Sequence, residues 1–200
     1  MKILKVILLL ALPIMVSAQV DKKKTTLPEG VQDSLLGTSL LIKENAVVFS
    51  KTYASELSKD DLTQRLKEFL PSVKNFQLTD LSNQNKYQFS GRLASFVVNY
   101  RKYGGSLMGT PTILNSALDG DVIIQVKDNK YRVIVSNIVF KDVSLLSGDK
   151  SNIVLDDFMT KSKRTAFRSM GNIISIGKYI DQDFTGSFDV SANRKTAADF

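Results

Sequence analysis

The chain contains no histidine and no cysteine, so the commonest general base, the thiol nucleophile and the usual transition-metal ligands are all missing. What remains for catalysis is a serine with a lysine, or two carboxylates, and no nucleophile elbow of the form G-x-S-x-G occurs. Gly104 and Gly109, followed by Thr110, have the glycine spacing of a phosphate-binding loop, but the lysine that should follow the second glycine is absent and Pro111 comes next. A mobile sheet connection that needs glycine backbone angles accounts for them. Asp119-Gly120-Asp121 could offer oxygens to calcium, yet a calcium loop needs a longer array of ligands at defined steps, and a turn before a strand suffices.

The densest basic cluster is Lys161, Lys163, Arg164 and Arg168. On a helix, positions 161, 164 and 168 share one side and form a candidate polyanion-binding face for a phosphorylated glycan or a lipid head group. A solvated helix face is the plainer reading. No catalytic, cofactor-binding or metal-ligating residue is assigned, and no cofactor is expected.

The elements that must position these residues follow from the hydrophobic pattern. Val47-Val48-Phe49 leads into a first strand running to Tyr53. Ser58 has the hydroxyl of a helix cap and Asp60 and Asp61 suit the first turn, so the two carboxylates are read as helix-dipole partners and not as a catalytic pair. Leu62, Leu66, Phe69 and Leu70 make one stripe, and Pro71 ends the helix. The period then changes to two around Phe76 and Leu78, with a turn at Asn83-Gln84-Asn85 and a strand from Tyr87 toward Tyr100.

The last hairpin, from about Asp121 to Val143, contains "IIQVKDNKYRVIV" (123–135) and allows a geometrical expectation. With Asp128 and Asn129 as the two loop residues, Val126 faces Tyr131, Ile124 faces Val133 and Val122 faces Val135 on a core side. Ile123 with Ile134, Gln125 with Arg132 and Lys127 with Lys130 then share the opposite side, and Ile123, Arg132 and Ile134 mark a candidate exposed sheet face. Beyond Gly148 a second helix is expected, begun near Asp156 and Asp157, with Phe167, Met170, Ile173 or Ile174 and Ile180 on one face. Gly171 and Gly177 weaken it, since each costs about 1 kcal/mol relative to alanine.

The N-terminus carries Lys2 and Lys5, an apolar run from Ile7 to Val16 and small residues at Val16-Ser17-Ala18, the pattern of a signal peptide cleaved near Ala18. Residues 19–45 read as a leader ending in an irregular or short strand segment. Residues 46–185 are expected to form a single α+β domain, and 186–200 a polar, frayed tail. Loss of Lys2 and Lys5 lowers the formal charge of +7 by two, a modest excess that favours solubility over nucleic-acid binding. The mature chain should lie in the periplasm or outside the cell, with no transmembrane span.

Two stretches, "VVFSKTYASELSKDDLTQRLKEFL" (47–70) and "GDVIIQVKDNKYRVIVSNIVF" (120–140), together resemble the domain of unknown function 4468, a family of exported Bacteroidetes proteins with a fold similar to the TATA-binding protein. The resemblance covers about residues 46–143. It implies a curved antiparallel sheet of about five strands with two helices on one face, in the order β-α-β-β-β-β-α, and it carries no assigned activity. The reading that follows is an exported, non-catalytic envelope protein that binds a protein or ligand. A small hydrolase or transferase using serine with lysine, or carboxylates, is the alternative, and a polyanion binder is a second one.

Overall fold

In the computed structural model, described over residues 27–79, 86–144 and 148–191, the chain is an α+β fold on one antiparallel sheet. The expected signal peptide with its expected cleavage near Ala18, the expected turn at residues 83–85 and the last nine residues lie outside the described residues. The strands are β1 (Val31–Ser34), β2 (Leu40–Lys43), β3 (Ala46–Ala54), β4 (Phe76–Leu78), β5 (Gln88–Phe96), β6 (Leu118–Lys127), β7 (Lys130–Ser144) and β8 (Lys150–Val154). They lie in the order β1-β2-β3-β7-β6-β5-β4, with β8 pairing the far half of β7. The helices are α1 (Lys59–Phe69), α2 (Leu155–Met159) and α3 (Gly171–Ser187).

The sheet therefore has eight strands among the described residues, and not five. The three extra strands are short. β1 and β2 form a hairpin inside the expected leader, and a second tight turn at Glu44-Asn45, both with positive φ, carries β2 into β3. Leu40 and Ile42 are buried there, and the Gln32 amide exchanges two hydrogen bonds with Asn45. A strand of four residues with two inward apolar side chains is decided by what packs on it, which local pattern does not show.

α1 forms as its sequence dictates. The Ser58 hydroxyl accepts from the Asp61 backbone N–H, Leu62, Leu66 and Phe69 are buried, and Pro71 lies in the short 3-10 turn that stops the helix. The second expected helix is broken. Residues 150–154 join the sheet, α2 lasts five residues, and α3 begins only at Gly171. Between them Thr160 pairs with Phe167 in a small loop, because residues 161–166 offer no apolar stripe for a helix to bury.

α3 buries Ile173, Ile176, Ile180 and Phe184. At Gly177 the helix packs closely on the β1–β2 hairpin, where an added Cβ would collide with the Leu35 side chain and press on Leu40 and Met159. The glycine that weakens the helix locally is the one that lets it dock. The expected frayed tail is also corrected at its start: Phe188 and Val190 are buried, because the Tyr131 hydroxyl donates to Phe188 O (2.7 Å) and accepts from Val190 N (3.0 Å).

The pairing shifts register in three neighbouring strand pairs, between Leu93 and Phe96, Asp119 and Asp121, and Phe140 and Val143. Bulges bend and twist the strands that carry them, so their alignment curves this half of the sheet.

Candidate functional site

The β6–β7 register is the one the alternation requires: Val126 faces Tyr131, Ile124 faces Val133 and Val122 faces Val135, all buried. Asn129 takes the left-handed conformation at the turn (φ 60°). The tip is held against α1: Asp128 Oδ1 accepts from Lys59 N (3.1 Å), and Asn129 O accepts from Ser55 N (2.8 Å). Asp128 thus satisfies a donor at a helix start that has no partner within the helix.

On the other side, two rows cross the four central strands. Ser50, Ile134, Ile123 and Ser90 form one, and Thr52, Arg132, Gln125 and Gln88 form the next. None of these eight residues is buried, so among the described residues no element covers this face. Ile123 and Ile134 form a partly exposed apolar centre. Arg132 is exposed and donates to Gln125 Oε1 (2.7 Å), which lays its guanidinium along the sheet. Beside it, Thr52, Gln125, Lys127, Lys130, Tyr131 and Arg132 line a shallow hollow of about 210 Å³ that contains three cations and no carboxylate. The three face residues named from sequence therefore come together, and the hollow adds Lys127 and Lys130.

The basic cluster is not a helix face. Arg164 has a positive φ and pairs with Asp157 through Nε (2.9 Å) while approaching Asp156 Oδ2 (3.6 Å). Arg168 donates to the carbonyls of Thr160 (2.6 Å) and Asp157 (3.0 Å), closing the last turn of α2. Arg164 and Arg168 thus hold the loop between α2 and α3, whereas Lys161 and Lys163 are exposed and make neither an ion pair nor a side-chain hydrogen bond among the described residues.

The carboxylates act as backbone clamps. Asp156 Oδ1 accepts from Val47 N (2.8 Å), Asp183 Oδ2 from Asn99 N (2.7 Å) and Asp33 Oδ2 from Phe167 N (2.8 Å). Burial pushes the carboxyls of Asp156 and Asp183 above the ordinary range, against the pull of those N–H donors. Burial, with the Asp183 carboxylate beside it, also pushes the Tyr103 hydroxyl up to about 12.

A larger polar hollow of about 760 Å³ lies beyond the bulges, lined by Ser95, Ser116, Ser144, Asp119, Lys141 and Lys150 among others. Asp119 is held below the ordinary carboxylate range by the Ser95 N–H, then by Lys141 and Arg92. That makes it a weak base. No serine hydroxyl in this hollow hydrogen-bonds a lysine or a carboxylate among the described residues. The Gly104–Gly109 segment is a loop between two 3-10 turns, Tyr100–Tyr103 and Thr112–Asn115, with no α-helix following it, and Asp119, Gly120 and Asp121 lie within β6.

No family model matches the chain, and no curated protein matches it. Among solved structures, a TBP-like protein from Parabacteroides distasonis is similar at 14% identity and a TM-score of 0.47, over 76% of this chain and 96% of that one. A DUF4468 family protein from Bacteroides ovatus is similar at 14% identity and a TM-score of 0.46, over 76% of this chain and 89% of its own. The two descriptions coincide with the resemblance drawn from residues 47–70 and 120–140.

Proposed function

We propose that the chain is an exported, non-catalytic binding module that presents the uncovered face of its sheet to an envelope partner or ligand. One observation carries the reading: the four central strands bury most of one face and leave two full rows on the other without a buried residue. Ile123 and Ile134 supply the apolar contact, and Arg132 with Lys127 and Lys130 supplies a cationic end suited to an anionic group. The charged n-region, apolar run and small residues of positions 1–18 support export. The clamped carboxylates, and the serines of the larger hollow that hydrogen-bond no lysine or carboxylate among the described residues, favour binding over hydrolysis or group transfer.

The test is crosslinking in the cell envelope with the wild type and with the double variant Ile123→Glu and Ile134→Glu. Both positions are partly exposed but face each other across the β6–β7 pairing, where two carboxylates repel, so a cooperative melting transition of the double variant is required to verify its fold. A discrete adduct of the wild type should disappear in the double variant and persist in Gln64→Glu, on the exposed side of α1. An adduct pattern that the double variant leaves unchanged would sink the proposal.

A further inference from the structure

A second surface, separate from the sheet face, lies in the segment from Val97 to Asn115. It contains Arg101 and Lys102 and no aspartate or glutamate. The 104–110 loop between its two 3-10 turns is built, not frayed. Gly105 N donates to Tyr100 O (3.0 Å), an added Cβ at Gly105 would collide with the Tyr100 ring and press on the Thr110 hydroxyl, and Thr110 is buried. Gly109 N donates to Ser106 Oγ (3.1 Å). The base is fixed to the body by Tyr100 Oη donating to Asn115 Oδ1 (2.7 Å), and by Asn99 N and Tyr103 Oη donating to Asp183.

This pinched turn holds Leu107 64% exposed and Met108 fully exposed at its apex. Fixing two adjacent large apolar side chains in water is unfavourable unless something receives them. Val97, 46% exposed, lies with Lys74 and Arg101 around a hollow of about 290 Å³ at the foot of the loop, and its lining includes no carboxylate. Lys74, Arg101 and Lys102 make no ion pair among the described residues, the nearby Asp183 being buried beneath them. An exposed apolar apex on a segment whose cations lack ion pairs fits an anionic bilayer surface, where the apex enters the acyl boundary and the cations meet the phosphates.

We propose that the 104–110 loop, with Lys74, Arg101 and Lys102 at its base, is a peripheral contact for anionic lipid membranes. No helix among the described residues is long and apolar enough to cross a membrane, so the contact is one of surface insertion.

The experiment mixes the full chain with vesicles of phosphatidylcholine, alone or with phosphatidylglycerol. The chain has no tryptophan, so Met108→Trp gives a single reporter. Its emission should shift to the blue with anionic vesicles only. In co-sedimentation, Leu107→Ser with Met108→Ser should weaken binding at least about tenfold, as should Arg101→Glu with Lys102→Glu. All four side chains are exposed, so unchanged melting curves verify the fold. No co-sedimentation, no spectral shift, equal binding to phosphatidylcholine alone, or undiminished binding of the Leu107→Ser, Met108→Ser protein would each overturn the proposal.

Discussion

The rings of Tyr53 and Tyr131 lie face to face across the β3–β7 pairing, 4.8 Å between centroids and 5° between planes. Their hydroxyls both reach the C-terminal segment: Tyr53 donates to Thr185 O (3.1 Å), and Tyr131 grips Phe188 O and Val190 N. Tyr131→Phe keeps the stack and strands two buried backbone groups, so it should cost about 2 kcal/mol or more in urea denaturation. Tyr53→Phe removes one donor from a helix carbonyl and should cost about 1 kcal/mol. Amide exchange at Val190 should accelerate in the Tyr131 variant only. Equal losses in the two variants would contradict this division of roles.

Asp183 should make stability depend on pH. Burial raises its folded pKa above the ordinary 3.8, so in the window above 3.8 the native state holds the proton that the unfolded chain has released. Wild-type stability therefore declines as pH rises through that window. Asp183→Asn keeps an oxygen for the Asn99 N–H and has no charge to bury. Relative to the wild type, the variant should gain stability as pH rises above 3.8 and level off once the raised folded pKa is passed, while the Asp156 contribution cancels in the difference. Parallel stability curves for the two proteins would show that Asp183 does not titrate in this range.

Arg168 and the two outward lysines should separate structural from ligand-binding roles in the basic loop. Arg168→Ala leaves the carbonyls of Thr160 and Asp157 without their cation and should lower stability by about 1–3 kcal/mol. Lys161→Ala and Lys163→Ala should stay within about 0.5 kcal/mol. Thermal melts at matched pH decide it; a destabilised lysine variant beside a neutral Arg168→Ala would reverse the assignment.

Legibility followed the range of the forces involved. α1 was readable because its cap, its stripe and its stop all lie between Ser58 and Pro71, and the hairpin because alternation fixes which side chains face inward. The β1–β2 hairpin was not, since it is stabilised by contact with α3 at Gly177, far along the chain. The break after α2 was hidden because Phe167 and Met170, which precede α3, continue the three- and four-residue spacing of its apolar residues. Arg164 and Arg168 resembled a solvated face because their carbonyl and carboxylate partners exist only once the loop has closed. The candidate sheet face was legible as a pattern of side chains, whereas the absence of a cover over it depends on the placement of all three helices.

The contact between Asp128 and Lys59 joins residues 69 positions apart. As the chain folds, the start of α1 must wait for the β6–β7 turn before its first amide finds that acceptor. Helix and hairpin tip should thus open and close as one cooperative unit, with the Lys59 amide exchanging in step with the hairpin turn and not with the middle of its own helix.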